Sequence, residues 1–274
     1  MICRSCDITR EGRMTTEAVQ AKSWKHNFFV LSTLVTKDFK LKYRRSVLGV
    51  LWSVLNPLLM MLVLSAVFSF MFRFQIENFP LYLILGNILF TMMANSTSAA
   101  MTSIIEAAPL IKKIRVEKLV FPLEKVIFEL VNFAISLIAV AIVMVYYQIV
   151  PTANLIFLPL LLLYMVIFCT GLGLILSALA VFFRDTIHLW GVVITAWTYA
   201  TPLFYPMEAL PDWMQSIMAF NPMYHYVTYF RDIMMWNTNP GGMENLTCLG
   251  MALITLAVGL LVFRKSEHKF ILYV

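Results

Sequence analysis

The chain has 274 residues, of which 61% are apolar and only 13% charged, with 21 Lys and Arg against 15 Asp and Glu. A mean hydropathy of +0.81 exceeds what the surface of a water-soluble domain tolerates, so the composition excludes a soluble globular protein and requires an integral membrane protein. The net charge of +6 does not point to nucleic acid, because the basic residues flank apolar runs and so suit the anionic headgroups of membrane lipids.

Residues 1–27 read as a polar tail of mixed charge without an apolar h-region, which predicts an N-terminus that stays in the cytoplasm. Cys3 and Cys6 form a lone C-x-x-C in this tail. Cys169 and Cys248 fall within or beside apolar runs, and without paired motifs or nearby histidines no metal site is expected. Residues 28–45 are amphipathic at helical spacing. Phe28, Leu31, Val35 and Phe39 share one face, and Lys37, Lys40 and Arg44 lie opposite, as in a helix lying on the inner membrane surface. The same periodicity suits a simple lipid anchor.

About 20 apolar residues are needed for a helix to cross the hydrocarbon core. Residues 46–72 hold a first span and 78–105 a second. Residues 130–183 carry no charge, too long a run for one helix, and the break at Gln148, Pro151 and Asn154 divides it into spans three and four. Residues 186–207 give a fifth span and 245–263 a sixth, so the spanning unit covers residues 46–264 and leaves 265–274 as a tail. Nineteen of the 21 Lys and Arg then fall on one side, with only Arg73 and Arg231 elsewhere, which predicts that both termini are cytoplasmic.

The connections carry further signals. Residues 109–122, bounded by prolines, combine Leu110, Ile111 and Ile114 with Lys112, Lys113, Arg115, Glu117 and Lys118. A short helix of this make-up fits a groove on a cytoplasmic partner, and it fits an ordinary basic loop equally. Between spans five and six, residues 213–220 and 223–236 are apolar, aromatic-rich and separated by Asn221 and Pro222. Each is too short to cross, which predicts a pair of re-entrant or interfacial outer helices. Span two carries Asn87, Thr91, Asn95, Ser96, Thr97 and Ser98, which should face other helices or water rather than lipid. Gly173 and Ser177 in span four have the small-residue spacing that permits close helix contact. Aromatic residues recur at Trp52, Phe68 and Phe72 and again at Trp197, Tyr199, Phe204 and Tyr205, either as interfacial belts or as a surface for sugar rings.

No G-x-x-x-x-G-K-[ST] loop occurs, so this chain is not expected to hydrolyse ATP itself. The span interiors lack the ionisable groups with which ion- and proton-coupled transporters commonly work, which places the energy source on a partner.

From Lys42 through Leu48, Gly49, Trp52, Asn56 and Pro57, a basic amphipathic helix, a Leu-Gly turn, a Trp and an Asn-Pro enter span one. With Phe183-Arg184-Asp185, Asn221-Pro222 and Tyr229-Phe230-Arg231, this pattern resembles the permease subunits of polysaccharide-exporting ABC transporters, which move O-antigen, capsule or teichoic acid. The resemblance covers most of the chain. It implies a homodimer of six-span subunits in the bacterial inner membrane, each resting on a separate cytoplasmic P-loop ATPase that binds ATP and Mg, with a channel between the subunits for a lipid-linked glycan. By the same resemblance residues 28–45 are the interface helix and 109–122 the coupling segment. Residues 211–236, with Trp213, Phe220, Asn221, Pro222, Tyr224 and Tyr229, look like the outer gate, and the aromatics of spans one and five contact the glycan.

Two other readings remain open at this point. One is an ABC exporter of a small lipid or drug. The other is a membrane-embedded transferase or hydrolase using Asp212, His225, Arg231 and Asp232 as acid-base groups. If 109–122 is the coupling segment, Ile111→Asp or Ile114→Asp uncouples ATP hydrolysis from export. Parallel assays of both activities check this, and unchanged export removes the assignment.

Overall fold

The computed structural model describes residues 27–44, 46–72, 76–113, 116–150 and 152–273, with the backbone alone for residues 70–72, 271 and 272. Cys3, Cys6, Ile114, Arg115 and the side chain of Phe72 lie outside the described residues. Every regular element among the described residues is helical. Helix α1 covers residues 27–43. A turn at Gly49–Leu51 leads into α2 (Trp52–Phe72), followed by α3 (Phe79–Glu106), a short α4 (Ala108–Ile111), α5 (Val120–Tyr146) and α6 (Leu158–Phe182). Then come α7 (Thr186–Ala200), α8 (Asp212–Met218), α9 (Pro222–Arg231), α10 (Gly242–Ser266) and α11 (Phe270–Tyr273).

Five helical stretches are long and apolar enough to cross a membrane: Gly49–Ser69, Phe79–Glu106, Val120–Tyr146, Ala153–Phe182 and Gly242–Lys269. Two of the sequence boundaries move. Span three was expected from residue 130, but α5 begins at Val120 and takes Glu124, Lys125 and Glu129 into its first turns. Those charges have partners in the fold, so they need not sit in a loop. The segment expected as span five is the 15-residue α7, which ends at Ala200. At 1.5 Å per residue it is about 22 Å long, short of the roughly 30 Å hydrocarbon core. The cause is local: Thr201 precedes Pro202, which disfavours helical geometry, and it is extended at φ −78°, ψ 136°.

The turn into α2 requires glycine. Gly49 has φ +46°, a left-handed conformation that costs little only without a Cβ, and this lets the chain swing from α1 into the first span.

Helix α3 is the hub. It packs along α5 and α6 and also meets α2, α7 and α9, and it is the most buried of the five long helices, whereas α2 is the least buried. Helices α6 and α10 make the closest pair. A Cβ on Gly259 would lie 2.2 Å from the Gly171 carbonyl oxygen, and one on Gly171 would lie 2.5 Å from the Leu256 nitrogen. Backbone meets backbone there, as in small-residue crossings of membrane helices. Gly173 faces Ala100 of α3, where an added Cβ would approach to 2.8 Å.

Gly259→Leu is therefore expected to force α6 and α10 apart, at a cost of about 1–3 kcal/mol or more. Gly250→Ala, with nothing within 4 Å of the added carbon, serves as the control. Thermal unfolding of the purified protein should show the first variant melting several degrees lower and the second unchanged.

Candidate functional site

The chemistry-bearing residues collect at three levels of the bundle: the basic end, a cleft beside α2, and the far end. At the basic end, the half-buried positions of α1 follow helical spacing and include Leu31, Leu34, Val35 and Phe39. Lys37, Lys40 and Arg44 are exposed, and so is Phe28, which lies off the half-buried face. Three polar contacts lock α1 onto α5. Asp38 pairs with Lys125. Lys42 lies 4.0 Å from Glu129. The Tyr43 hydroxyl donates to Asn132 Oδ1 at 2.9 Å and lies 2.5 Å from Ser53 Oγ of α2.

The segment expected to couple to a partner divides by environment. Leu110 and Ile111 pack against an apolar cluster of Ile104, Phe121, Leu174, Val181, Phe263 and Phe270, while Lys112, Lys113 and Glu117 are exposed. Lys118 turns the other way. Its Nζ donates to the Glu267 carbonyl at 2.5 Å and sits 5.8 Å from the centre of the Phe270 ring, tying this segment to the C-terminal end of the described chain.

The cleft beside α2 has a volume of about 540 Å³ and runs from Lys42, Tyr43 and Trp52 at the basic end to Val63 and Asn87. Among the expected channel aromatics, Trp52 lines it and is exposed, and Tyr199 is exposed elsewhere. Phe68, Trp197, Phe204 and Tyr205 take part in packing. Phe68 stacks on buried Phe204 at 5.4 Å, and the Tyr205 hydroxyl donates to the Tyr199 carbonyl at 2.7 Å. Trp197 meets Phe90, Phe168 and Trp190 edge-on, with centroids 6.4, 6.5 and 6.4 Å away.

At the far end, Asn221 caps α9. Its Oδ1 accepts from the Met223 N–H at 3.1 Å and from Trp197 Nε1 at 2.9 Å, and its Nδ2 donates to Thr201 Oγ1 at 3.0 Å. Pro222 occupies the first turn, where its missing N–H costs nothing. Trp213 and Phe220 are exposed, Tyr224 is half-buried against His225, and Tyr229 is buried with its hydroxyl donating to Asn245 Oδ1 at 2.8 Å.

Arg231 closes α9 and is 3% exposed. Its Nη1 donates to the Pro202 carbonyl at 3.0 Å, and its Nη2 donates to the Tyr82 and Leu203 carbonyls at 3.2 and 3.0 Å. The guanidinium carbon lies 3.4 Å from the centre of the Tyr82 ring. A Cβ on Gly86 would come within 2.7 Å of Nη2, so a glycine there makes room for the cation. A lone Arg in the apolar run 223–236 was the only sequence signal for this anchor. Burial, reinforced by the charge of Glu244, pushes the neighbouring Asp232 carboxyl up to about 6.

The residues suited to acid-base chemistry do not converge. Arg231 is committed to carbonyls and His225 Nε2 lies 2.8 Å from the Ala219 carbonyl, while Asp212 is exposed on α8. Among the described residues no three His, Cys, Asp or Glu come together as a metal site, and Cys169 and Cys248 are buried free thiols.

Replacing Arg231 by Met removes three hydrogen bonds and strands the Leu203 carbonyl, while the Pro202 carbonyl keeps the Tyr82 hydroxyl at 3.3 Å, and should cost about 1–3 kcal/mol. Arg231→Lys, with a point charge in place of a planar fork, should recover part of that. Melting temperature and thiol labelling of Cys248, buried beneath Tyr226 of α9, check this: the Met variant should melt lowest and label fastest, and equal behaviour of all three proteins would remove the anchoring role.

Comparison with known proteins agrees with this architecture. The ABC-2 type transporter family matches residues 30–235. An O-antigen export system permease protein of Klebsiella pneumoniae is 31% identical over 245 residues, covering 89% of this chain and 94% of that protein. A capsule polysaccharide export inner-membrane protein of Neisseria meningitidis is 25% identical, covering 74% of this chain and 77% of its own. A polysialic acid transport protein of Escherichia coli is 22% identical, with 87% and 93% covered. With three-quarters of its length inside the family match, and a relative above 30% identity along nearly all of it, this chain belongs to the ABC-2 type transporter family.

Proposed function

We propose that this chain is the permease subunit of an ABC exporter that carries a lipid-linked surface polysaccharide, of the O-antigen or capsule kind, out through the bacterial inner membrane. The likeness to O-antigen permeases along nearly the whole chain, and to capsule export proteins along three-quarters of it, carries this reading. The chain has no phosphate-binding loop of its own, so ATP and Mg are held by a separate cytoplasmic ATPase.

The basic end is the cytoplasmic end, in keeping with the distribution of Lys and Arg, and both termini lie there. Helix α7, together with the extended stretch to residue 207, makes the sixth crossing, and α8 and α9 sit at the outer surface as a gate. The ATPase docks against the exposed side of α1, with Lys37 and Lys40, and against Lys112, Lys113 and Glu117. Two copies pair along the side where α2 and α7 leave Met60, Val63, Leu189 and Val193 exposed, and the glycan passes between them. ATP binding, by favouring one arrangement of the paired ATPases, biases the permease between its states.

Depleting the chain should make undelivered glycan accumulate inside the cell while the surface loses it, read by gel analysis of the two fractions. Native mass spectrometry of the gently extracted complex should find two copies with two P-loop ATPases. Unchanged surface glycan, or a complex that holds no ATPase under mild crosslinking, would refute the assignment.

A further inference from the structure

The cleft between α2, α3 and α5 contains polar groups that neither the packing nor the proposed channel aromatics account for. Asn87, Thr91 and Asn95 lie four residues apart and so line one face of α3, all facing the cleft. Asn56 of α2 and Asn132 of α5 face it from the other walls. The side chains of Asn56, Asn87, Thr91 and Asn95 make no hydrogen bond to any described residue. Asn132 is 6% exposed, and while its Oδ1 accepts from Tyr43, its Nδ2 is buried without a partner among the described residues. Four polar side chains without a hydrogen bond thus line the cleft together with the buried Nδ2 of Asn132, and burying that amide is unfavourable unless something in the cleft accepts from it.

The chemistry of the lining selects the occupant. A side-chain amide offers two donors and an acceptor without net charge, which matches a hydroxyl that both donates and accepts. The charged residues in the lining, Lys42 and Glu129, stand together at the mouth 4.0 Å apart and offset one another. A phosphate would meet no uncompensated cation here, and a bare acyl chain would leave the amides unsatisfied. Trp52 and Phe133 add ring surface to the same walls, against which the C–H face of a pyranose packs. The volume of about 540 Å³ falls within the usual range for small-molecule sites.

We infer that this cleft is a binding site for an uncharged sugar unit, held through its hydroxyls by Asn87, Asn95 and Asn132 and bounded by Trp52. The inference rests on the glycan-export reading and adds to it a subsite on the α3 and α5 walls of each subunit, toward the basic end, which opens past Met60 and Val63 of α2 onto the side where two copies pair. The lead sugar of the glycan enters here before the chain moves outward.

The test uses the permease assembled with its ATPase in native membranes, with photoreactive benzoylphenylalanine at Thr91, which is exposed in the cleft. The probe is the host's own lipid-linked glycan, detected on the permease band by periodate oxidation and hydrazide labelling. Illumination should give a periodate-sensitive adduct. In Asn87→Leu and Asn95→Leu, which are not core positions, that adduct should fall at least tenfold while the ATPase co-purifies in unchanged amount. Asn132→Leu should behave likewise, and because it is buried the other two variants keep the test independent of its folding.

An adduct that carries phospholipid alone, or no adduct while surface glycan is exported, overturns the subsite. So does wild-type export by both the Asn87 and Asn95 variants. If instead depletion of the chain leaves surface glycan unchanged, the export reading falls and the subsite falls with it.

Discussion

A helix break buried inside a protein has no water to satisfy its backbone, so it needs donors and acceptors from elsewhere in the fold. The chain breaks after Ala200, where Thr201 turns extended ahead of Pro202. The carbonyls of Pro202, Leu203 and Tyr205 there have no helical N–H to meet. Arg231 and Tyr82 supply the missing donors: the guanidinium reaches Pro202 and Leu203, and the Tyr82 hydroxyl reaches Tyr205 at 2.9 Å. Because Arg231 also bonds the Tyr82 carbonyl, one side chain ties α9, the break after α7 and the start of α3 into one unit. Asn221 repeats the logic at the other end of α9, joining Trp197 and Thr201. The far end is rigid because its irregular backbone is bonded through side chains fixed on regular helices.

The basic end is held differently, by ionic and aromatic contacts near the headgroup region. Helix α1 is fixed to α5 through Asp38, Lys42 and Tyr43, whereas α2 receives from it only the Tyr43 contact to Ser53. A displacement of α1 therefore passes first into α5. The connection before α5 has its own tie, through Lys118, to the Glu267 carbonyl and the Phe270 ring, and Phe270 packs against Phe263 and Phe182 at 5.2 and 6.0 Å. Residues 116–119 thus connect to α6 and α10 as well as to α5. Since α6 and α10 meet backbone to backbone at Gly171 and Gly259, these two move as one body. Helix α2 is the least buried of the long helices and packs only along α3 and α5 among them.

The sequence made some of this plain and left other parts out of reach. The alternation along α1 was legible because its half-buried positions depend only on residues three and four apart. The start of α5 was misplaced because charge was read as exposure. Glu124, Lys125 and Glu129 sit inside the helix since Asp38 and Lys42, almost ninety residues earlier, complement them. Local pattern carries no trace of such long-range pairing. Helix α7 was drawn too long for a related reason: residues 186–207 carry no Asp, Glu, Lys or Arg, and Pro202 ends the helix within them without adding a charge. Trp197 read as part of an aromatic belt or a surface for sugar rings, but its indole N–H bonds Asn221, a partner that only the return of α9 brings near. Arg231 stood out as one of two basic residues away from the basic side, while the three carbonyls it serves had no signature at all.

The polar load of α3 shows how one helix can seal a core on one side and stay unsealed on the other. Ser96, Thr97 and Ser103 are buried, and each hydroxyl donates to a carbonyl of its own helix, at Met92, Met93 and Ala100. A short hydroxyl can close on the preceding turn in this way and then needs nothing from its neighbours. A side-chain amide has two donors and an acceptor to place and cannot be satisfied by one carbonyl of the preceding turn. The buried faces of α3 accordingly use serine and threonine, and the face toward the cleft uses Asn87 and Asn95. If polarity in this helix served only to relieve backbone or to ease packing, hydroxyls would suffice at every position. Amides on the cleft side alone mean that this wall is built to meet hydrogen-bonding groups from outside the helix bundle.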